Sequence, residues 1–284
     1  MQSVALDIKI RKGEIMDLYA QGKKQDPSTV FAHFRYDGRR GESYFTPFQQ
    51  LANMAKPENW NFEHLSGPKD LPILRKYLFY TFRRLQEQDK IAYSADKTLA
   101  CFNTGLQTPD EKDIFALFFE NKRAKEFNAP KWTFLRFADS YNVKDIYPLP
   151  SLATYWNNTS ELVFDLSYEI ELQFDHIYDD NKLRLPIELQ ENRMLALHAL
   201  KGAVEVLKEK IRRNYKLASP HWYEGHVQLL LPLCLLDPTK ADVALVVDKD
   251  ESRKIYRGTT ILEMYMAYLD ARLICRPDKD WLNP

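Results

Sequence analysis

Residues 203–236 read AVEVLKEKIRRNYKLASPHWYEGHVQLLLPLCLL, and this stretch decides the fold that the sequence predicts. Its first part carries apolar residues at intervals of three and four among many charges, which predicts an amphipathic helix with a basic end. Pro220 and the residues 221–223 predict a turn after that helix. The run 227–235 is almost entirely apolar, which predicts a buried strand. The most polar chemistry of the chain therefore lies beside its most buried strand.

The helix of this stretch extends further toward the N-terminus. Apolar residues recur at intervals of three and four from Met194 to Tyr215, and Pro186 opens the region, which predicts one long helical segment. The same spacing predicts helices over residues 47–54, 72–88 and 261–273. Runs of apolar, β-branched and aromatic residues predict strands over residues 91–93, 98–102, 114–119, 132–137, 162–164, 168–174, 227–235 and 243–247.

The order of these elements predicts the fold class. Because the strands come in runs and do not alternate strictly with helices, we expect an α+β fold. Its sheet is expected to be mostly antiparallel, with the long amphipathic helix and the C-terminal helix packed on it. A polar break at residues 21–28 separates the opening segment from the rest. The predicted organisation is an N-terminal appendage at residues 1–30 and a single α+β domain at residues 31–284.

The composition limits the partners of the protein. In a chain of 284 residues, 40 basic and 40 acidic residues balance, so a polyanion can bind only at a local basic patch. Three cysteines lie in apolar surroundings without a CxxC spacing, which predicts reduced thiols and a cytoplasmic protein. The longest apolar run, residues 229–236, is far below the roughly 20 residues that span a bilayer, so we expect a soluble protein without a membrane partner.

The basic end of the long helix is the first candidate site. Lys208, Arg212 and Lys216 are four residues apart and are predicted to form a ridge of unpaired positive charge. Arginine forks match phosphate oxygens and aromatic faces stack bases, so such a surface can hold a nucleotide. A purely structural role is the alternative, because cations in a last helical turn interact favourably with the helix dipole. The neighbouring groups that favour the ligand hypothesis are Arg213, Asn214, Tyr215, His221 and Trp222.

The second candidate site is the acidic cluster around His176. A carboxylate such as Asp175 can orient an imidazole as a general base. Neighbours on a strand point to opposite faces, however, so the pair need not share a pocket. Asp175, Asp179 and Asp180 could instead bind magnesium, and a turn of solvated charge at residues 179–181 is the structural alternative.

Two further polar signals lie in or beside apolar strands. Asn103 and Thr104 follow a buried strand, a common place for ligand contacts. Gln228 is a lone amide inside an otherwise apolar strand and must find a hydrogen-bond partner. We expect it to share a polar pocket with Arg213 and Asn214.

Several well-known sites are not supported by the sequence. The chain contains neither GxGxxG nor GxxxxGK[ST], which argues against a Rossmann or P-loop phosphate site. Arg35 occupies the position where a nucleotidylating lysine would stand in RYDG, and a guanidinium stays protonated. His221 and His226 followed by Cys234 do not complete a zinc site, because no second close pair of ligands exists. No cofactor is predicted, with magnesium as the competing alternative.

Six strings together carry a family resemblance. They are LFYTFRRL (78–85), ACFNTGL (100–106), DHI (175–177), RNYK (213–216), QLLLPL (228–233) and MAYLDARLI (266–274). The chain resembles, from about residue 43 to its C-terminus, an uncharacterised bacterial domain family that recurs beside LOTUS (OST-HTH) RNA-binding modules and cold-shock domains. The resemblance brings no established catalytic residues. The strings contain Arg83, Asn103, Thr104, Asp175, Arg213, Asn214, Lys216, Gln228 and Arg272.

What the resemblance implies is a connection to RNA by association with neighbouring modules. From the sequence we expect the domain alone, without an attached LOTUS or cold-shock module. RNA affinity must then come from the domain itself or from an RNA-binding protein partner.

Residue chemistry and resemblance lead to one leading hypothesis and one rival. We expect an RNA- or nucleotide-binding domain, and if it catalyses a reaction, a phosphodiester or nucleotide hydrolase with His176 or His221 as general acid or base. The rival is a non-catalytic protein interaction or scaffold domain. The predicted phosphate pocket consists of Arg184, Arg212, Arg213, Lys216 and Arg272, and the groups expected to read the ligand are Asn103, Thr104, Asn214 and Gln228.

Overall fold

The computed structural model of the protein describes residues 17–19, 30–34, 46–62 and 71–276. The fold is α+β and its sheets are mostly antiparallel, as predicted. The chain divides into two compact units, the first formed by Met1–Trp60 with Gly67–Ala153 and the second by Asn61–Ser66 with Thr154–Pro284. Two compact units can belong to one folding domain, so the single domain at residues 31–284 stays a prediction. So does the appendage at residues 1–30, most of which lies outside the described residues.

The first unit is built on an antiparallel meander of four strands. Its sheet has the order β3-β4-β5-β6, and the β3–β4 hairpin and the two following strands agree with the sequence prediction. The elements of the described part are β1 (Asp17–Tyr19), β2 (Val30–His33), α1 (Thr46–Met54), α2 (Pro72–Glu87), β3 (Ala92–Tyr93), β4 (Leu99–Gln107), β5 (Asp113–Glu120) and β6 (Trp132–Asp139).

Both faces of this sheet are buried. On one face α2 inserts Phe82, whose ring centroid lies 5.2 Å from that of Phe102. On the other face Cys101 and Phe115 belong to a cluster that the segment after β6 closes with Val143. Burial raises the pKa of the Cys101 thiol to about 12, so this cysteine is held as an unreactive thiol.

The second unit contains residues 203–236, the helix and buried strand that decide the predicted fold. Its five-stranded sheet has the order β7-β11-β10-β9-β8, antiparallel except where β7 pairs with β11. The elements are β7 (Glu169–Leu172), α3 (Phe174–Asn181), α4 (Ile187–Gln190), α5 (Arg193–Arg213), β8 (Ser219–Tyr223), β9 (His226–Leu233), β10 (Val243–Asp250), β11 (Ile255–Glu263) and α6 (Met264–Ala271).

The long helix α5 covers one face of this sheet. Asn192 caps it, since its side chain accepts a hydrogen bond from the backbone N–H of Leu195 at 3.0 Å. The apolar stripe of α5 is buried in one cluster with alternate residues of the central strands, and α6 contacts β8, β10 and β11. Members of the cluster include Leu200, Val204, Leu207 and Ile211 of α5, Leu229, Leu231 and Leu233 of β9, and Val243, Leu245 and Val247 of β10.

Several predicted elements are wrong in type or extent. Residues 220–223 form the edge strand β8 and not a turn, because an edge strand tolerates the missing N–H of Pro220. Residues 179–181 lie in α3, so the acidic cluster is helical. Residues 159–162 form a 3-10 helix where a strand was predicted at 162–164. The last helix begins only at Met264, because residues 261–263 still pair with β10.

Gly105 occupies a special position in β4. The pairing of β4 with β5 is irregular between Asn103 and Gln107, and Gly105 there has a φ of +76°. A Cβ atom at this position would lie 2.3 Å from Tyr77 Oη. Glycine is therefore required both by the left-handed backbone and by the approach of Tyr77.

Gly105→Ala is expected to lower the free energy of unfolding by roughly 2–4 kcal/mol, because left-handed strain and the clash each cost on the order of 1–2 kcal/mol. In a Tyr77→Phe background the nearest remaining atom is the ring carbon at 3.6 Å, so only the backbone strain should remain. Urea denaturation of the four proteins measures this coupling. An equal cost of Gly105→Ala in both backgrounds would contradict the close approach of the Tyr77 hydroxyl.

Candidate functional site

The basic end of α5 comprises Lys210, Arg212, Arg213 and Lys216 and lies on the last helical turn and the following 3-10 helix Tyr215–Leu217. Arg212 Nη1 donates to Glu209 Oε1 at 2.5 Å, and Arg213 Nη1 lies 3.2 Å from Glu209 Oε2. The side chains of Arg212 and Arg213 are 58% and 73% exposed. One exposed carboxylate thus serves two exposed guanidinium groups, which leaves an excess of positive charge.

The predicted ridge of unpaired charge is wrong for two of its members. Lys208 forms ion pairs with Glu169 at 2.5 Å and with Glu205 at 3.4 Å, and Arg212 is paired with Glu209. The hydrogen bond from Lys208 holds the pKa of Glu169 below its usual value. Burial alone would lower the pKa of Lys208, but the contacts with its two carboxylates raise it overall. β7 brings Glu169 to α5 from 39 residues away, which helical spacing cannot reveal.

Of the three groups next to the basic end, Asn214 and Trp222 make contacts within the fold and Tyr215 is exposed. Asn214 Oδ1 accepts a hydrogen bond from the backbone N–H of Lys216 at 3.2 Å and so caps the 3-10 helix. Trp222, one of the predicted stacking groups, packs edge-on against Tyr155 with ring centroids 5.9 Å apart. Tyr215 is exposed, so its ring can stack on a ligand.

The acidic cluster of α3 is arranged around Arg193 of α5. Arg193 donates to Asp175 and to Asp179, each at 2.5 Å. Its guanidinium also lies over the rings of Phe174 and Tyr178. His176 pairs through Nδ1 with Asp180, one helical turn away. The expected orientation of His176 by Asp175 is therefore not found, and Arg193 occupies two of the three carboxylates of the proposed magnesium site.

Three other predicted ligand residues make internal contacts. Asn103 Nδ2 donates to Asp113 Oδ2 at 3.1 Å, and Thr104 Oγ1 donates to the carbonyl oxygen of Ile114 at 2.7 Å. In the second unit, Arg184 Nη1 donates to the carbonyl oxygen of Ile261 at 2.8 Å. Each of these three polar side chains thus forms a hydrogen bond within the fold, which accounts for its presence without a ligand.

Of the two remaining predicted arginines, one lies on a helix and the other directly after one. Arg83 is on α2, with its guanidinium 6.0 Å from the ring centroid of Tyr80. Arg272 follows α6, and its N–H donates to the carbonyl oxygen of Tyr268. Arg83, Asn103 and Thr104 thus belong to the first unit, and the other predicted ligand residues belong to the second.

Gln228 finds a partner other than the predicted one. Its Nε2 donates to Asp248 Oδ2 at 2.9 Å, and the other oxygen of Asp248 lies 2.8 Å from His226 Nε2. The predicted pocket of Gln228 with Arg213 and Asn214 is therefore wrong. Because strand residues alternate between faces, Gln228 and Asp248 point away from the face that α5 covers through Leu229 and Val247.

These side chains belong to a polar row across β8, β9, β10 and β11. Strand pairing places Tyr223 beside His226, His221 beside Gln228, and Arg257 beside Asp248. The side chain of His226 is 53% exposed and that of Asp248 23% exposed, while Gln228 and His221 are buried. Arg257 is about half exposed and its Nε lies 4.0 Å from Asp250 Oδ2. We define the polar row as Tyr223, His226, Gln228, Asp248 and Arg257.

Four members of this row, Tyr223, His226, Asp248 and Arg257, are not among the site residues predicted from the sequence. Tyr223, His226 and Gln228 alternate around the Gly225 turn, a pattern that indicates one polar face of a hairpin and could have revealed His226. Asp248 and Arg257 follow only from strand pairing. The resulting arrangement, an exposed imidazole held by a carboxylate, is one that general bases use.

Within residues 17–19, 30–34, 46–62 and 71–276, no group of three or more His, Cys, Asp or Glu side chains is placed to hold a metal ion. In the same part of the chain no helix is long and apolar enough to cross a membrane.

The fold and these surfaces define an α+β protein with a four-stranded sheet, a five-stranded sheet, a basic helix end and a polar row. The chain belongs to the family described as "Domain of unknown function (DUF3825)", whose profile matches residues 51–281. The resemblance to an uncharacterised domain family is confirmed to this extent. Comparison with curated proteins and with solved structures found no match.

Proposed function

We propose that the protein binds RNA or a nucleotide through the basic end of α5, with Arg213 as its principal phosphate ligand. The observation that carries this proposal is the sharing of Glu209 by two exposed arginines. Because two guanidinium groups share one carboxylate, one positive charge is left without a matching anion. A bound phosphate would supply that anion. Arg212, Asn214, Lys216 and Arg272 stay predicted ligands around this centre.

The strengths of the competing interactions support this proposal. An exposed ion pair contributes about 0–1 kcal/mol, so the Glu209 carboxylate holds Arg213 only weakly. Arg213 Nη1 also donates to the carbonyl oxygen of Glu209 at 2.5 Å, so a phosphate is expected to bind through Nε and Nη2. A guanidinium can form two parallel hydrogen bonds to phosphate, each about twice as strong as a neutral one. The negative end of the α5 dipole opposes an anion by on the order of 0.3–1 kcal/mol. Several phosphate contacts outweigh that cost.

Tyr215 favours a nucleic acid over inorganic phosphate. Its exposed ring lies two residues beyond Arg213, where a base can stack while the phosphate meets the arginine. The resemblance to a bacterial domain family that recurs beside LOTUS and cold-shock modules supports the same ligand class by analogy. A cytoplasmic setting and an RNA-binding protein partner are part of this proposal.

A protein interaction or scaffold role is the second candidate function. Leu183, Ile187 and Met194 are exposed around the helix α4 and the start of α5. Exposed apolar groups in such a set favour contact with another protein. This role predicts that the basic end is dispensable.

Arg213→Ala is expected to weaken binding of a short fluorescein-labelled single-stranded RNA by about tenfold at low salt, because a lost charge-assisted hydrogen bond is worth on the order of 1.5 kcal/mol. The slope of log K against log salt should fall by about one. Fluorescence anisotropy at several salt concentrations measures both quantities.

Arg123→Ala is the matched control for this variant. Arg123 is also exposed and is also paired with a nearby glutamate, Glu126, but it lies in the first unit. Its substitution should leave the RNA affinity within about twofold, since no phosphate contact is lost. Equal effects of the two variants, or a flat salt response of the wild type, would overturn the proposed function.

Glu209→Gln is expected to strengthen RNA binding by about two- to fivefold, because both guanidinium groups lose their competing carboxylate. The matched control is Glu126→Gln, which releases Arg123 in the same way and should not change the affinity. The same anisotropy titration reports the result. An unchanged or lower affinity of Glu209→Gln would show that these arginines do not bind the ligand.

A further inference from the structure

The polar row of the second sheet is the strongest cluster of titratable groups outside the basic end. We propose that it is an acid–base site that cleaves RNA, with His226 as the general base; this inference rests on the proposed RNA binding and adds an activity to it. The site is distinct from both histidines that the sequence suggested, His176 and His221.

The first support is the position of the imidazole. His226 Nε2 lies 2.8 Å from Asp248 Oδ1, and a carboxylate at that distance accepts the Nε2 hydrogen. The lone pair of the neutral imidazole is then on Nδ1. With the side chain 53% exposed, Nδ1 can reach a substrate hydroxyl.

The second support is that the carboxylate itself is fixed. Asp248 Oδ2 accepts a hydrogen bond from Gln228 Nε2 at 2.9 Å, and Gln228 is only 7% exposed. Both oxygens of Asp248 are therefore engaged, one by the imidazole and one by a buried amide. A solvent-exposed surface pair does not need a buried third group, whereas a base that must keep one orientation does. Asp248 and Gln228 are positioning residues.

The third support is a cation beside the pair. Arg257 on β11 is the pairing partner of Asp248, and its contact with Asp250 at 4.0 Å is made through Nε. The Nη groups can thus bind the oxygens of a phosphate held next to His226. A guanidinium there stabilises the charge that develops on phosphorus oxygens in the transition state.

The edge strand β8 connects this row to the basic end. It begins at Ser219, three residues after Lys216, and ends at Tyr223, which pairs with His226. Five extended residues span about 13 Å from first to last, because a strand rises about 3.3 Å per residue. Because the basic end lies on the α5 side of the sheet and the polar row on the other face, a ligand that contacts both must follow this edge strand and also pass around it. This requirement favours a polymer over a mononucleotide.

The reaction that these groups support is attack of the ribose 2′-hydroxyl on the adjacent phosphorus. His226 Nδ1 takes the 2′-hydroxyl proton as the bond from the 2′-oxygen to phosphorus forms. The bond from phosphorus to the 5′-oxygen breaks, and that oxygen takes a proton from water. The hydroxide that remains is neutralised by the proton on His226. The products are a 2′,3′-cyclic phosphate and a free 5′-hydroxyl.

The test uses the full chain and an end-labelled single-stranded RNA, with binding and cleavage measured on the same preparations. The wild type should release products ending in a 2′,3′-cyclic phosphate and should bind a 2′-O-methyl RNA without cleaving it. His226→Gln should lower kcat by about 10²–10⁴-fold, the usual contribution of a general base, with RNA affinity within twofold. His198→Gln, an exposed histidine of α5, is the matched control and should cleave normally.

Two further variants separate chemistry from folding. His226→Ala should regain activity when imidazole is added, because free imidazole replaces the missing base. Asp248→Glu should retain more kcat than Asp248→Asn with KM unchanged, since only a carboxylate accepts the imidazole hydrogen. If the pair had only a structural role, imidazole would not restore the activity of His226→Ala. Asp248→Glu would then be no more active than Asp248→Asn.

The outcomes are distinguishable from those of the proposed function. RNA that is bound but not cleaved, or cleaved equally fast by His226→Gln, overturns the acid–base site and leaves RNA binding in place. A wild type that neither binds nor cleaves overturns both. Cleavage that depends on His226 and is rescued by imidazole establishes the site.

Discussion

The packing of α5 on one face of the five-stranded sheet is the interaction on which the second unit depends. The apolar stripe of α5, with Leu200, Val204, Leu207 and Ile211, is buried in one cluster with alternate residues of β9 and β10. Full burial of one such side chain contributes about 1.5–3 kcal/mol, whereas an exposed ion pair contributes about 0–1 kcal/mol. The apolar stripe therefore fixes the rotation of the helix, and the charges take the positions that remain.

Both polar surfaces of the second unit follow from this packing. The rotation of α5 brings Lys208 to Glu169 of β7 and leaves Arg212 and Arg213 exposed at the helix end. Successive strand residues point to opposite faces, so Leu229 points toward α5 while Gln228 and Asp248 lie on the other face. There Gln228 donates a hydrogen bond to Asp248. A single apolar arrangement thus produces a basic helix end on one side of the sheet and a fixed imidazole on the other.

The sequence prediction is accurate where the deciding interactions are local in the chain and fails where they join distant residues. Local periodicity correctly predicted α2, α5 and the strands β4, β5, β9 and β10. It failed where tertiary pairing decides, because Glu169 lies 39 residues from Lys208 and Asp248 lies 20 residues from Gln228. Pro220 is a strong local turn signal, yet at the edge of a sheet it is compatible with a strand. The imidazole–carboxylate pair could therefore be found only from strand register.

Photo-crosslinking of bound RNA tests the central claim most directly, because it shows which surface of the chain the ligand touches. Irradiation of the complex followed by mass spectrometry of the digested protein should identify crosslinks at Tyr215, beside the basic end, and at Tyr223, in the polar row. Both tyrosines should be labelled by the same RNA and released by high salt. Crosslinks confined to residues 71–153 of the first unit, or to the apolar groups around α4, would contradict the account.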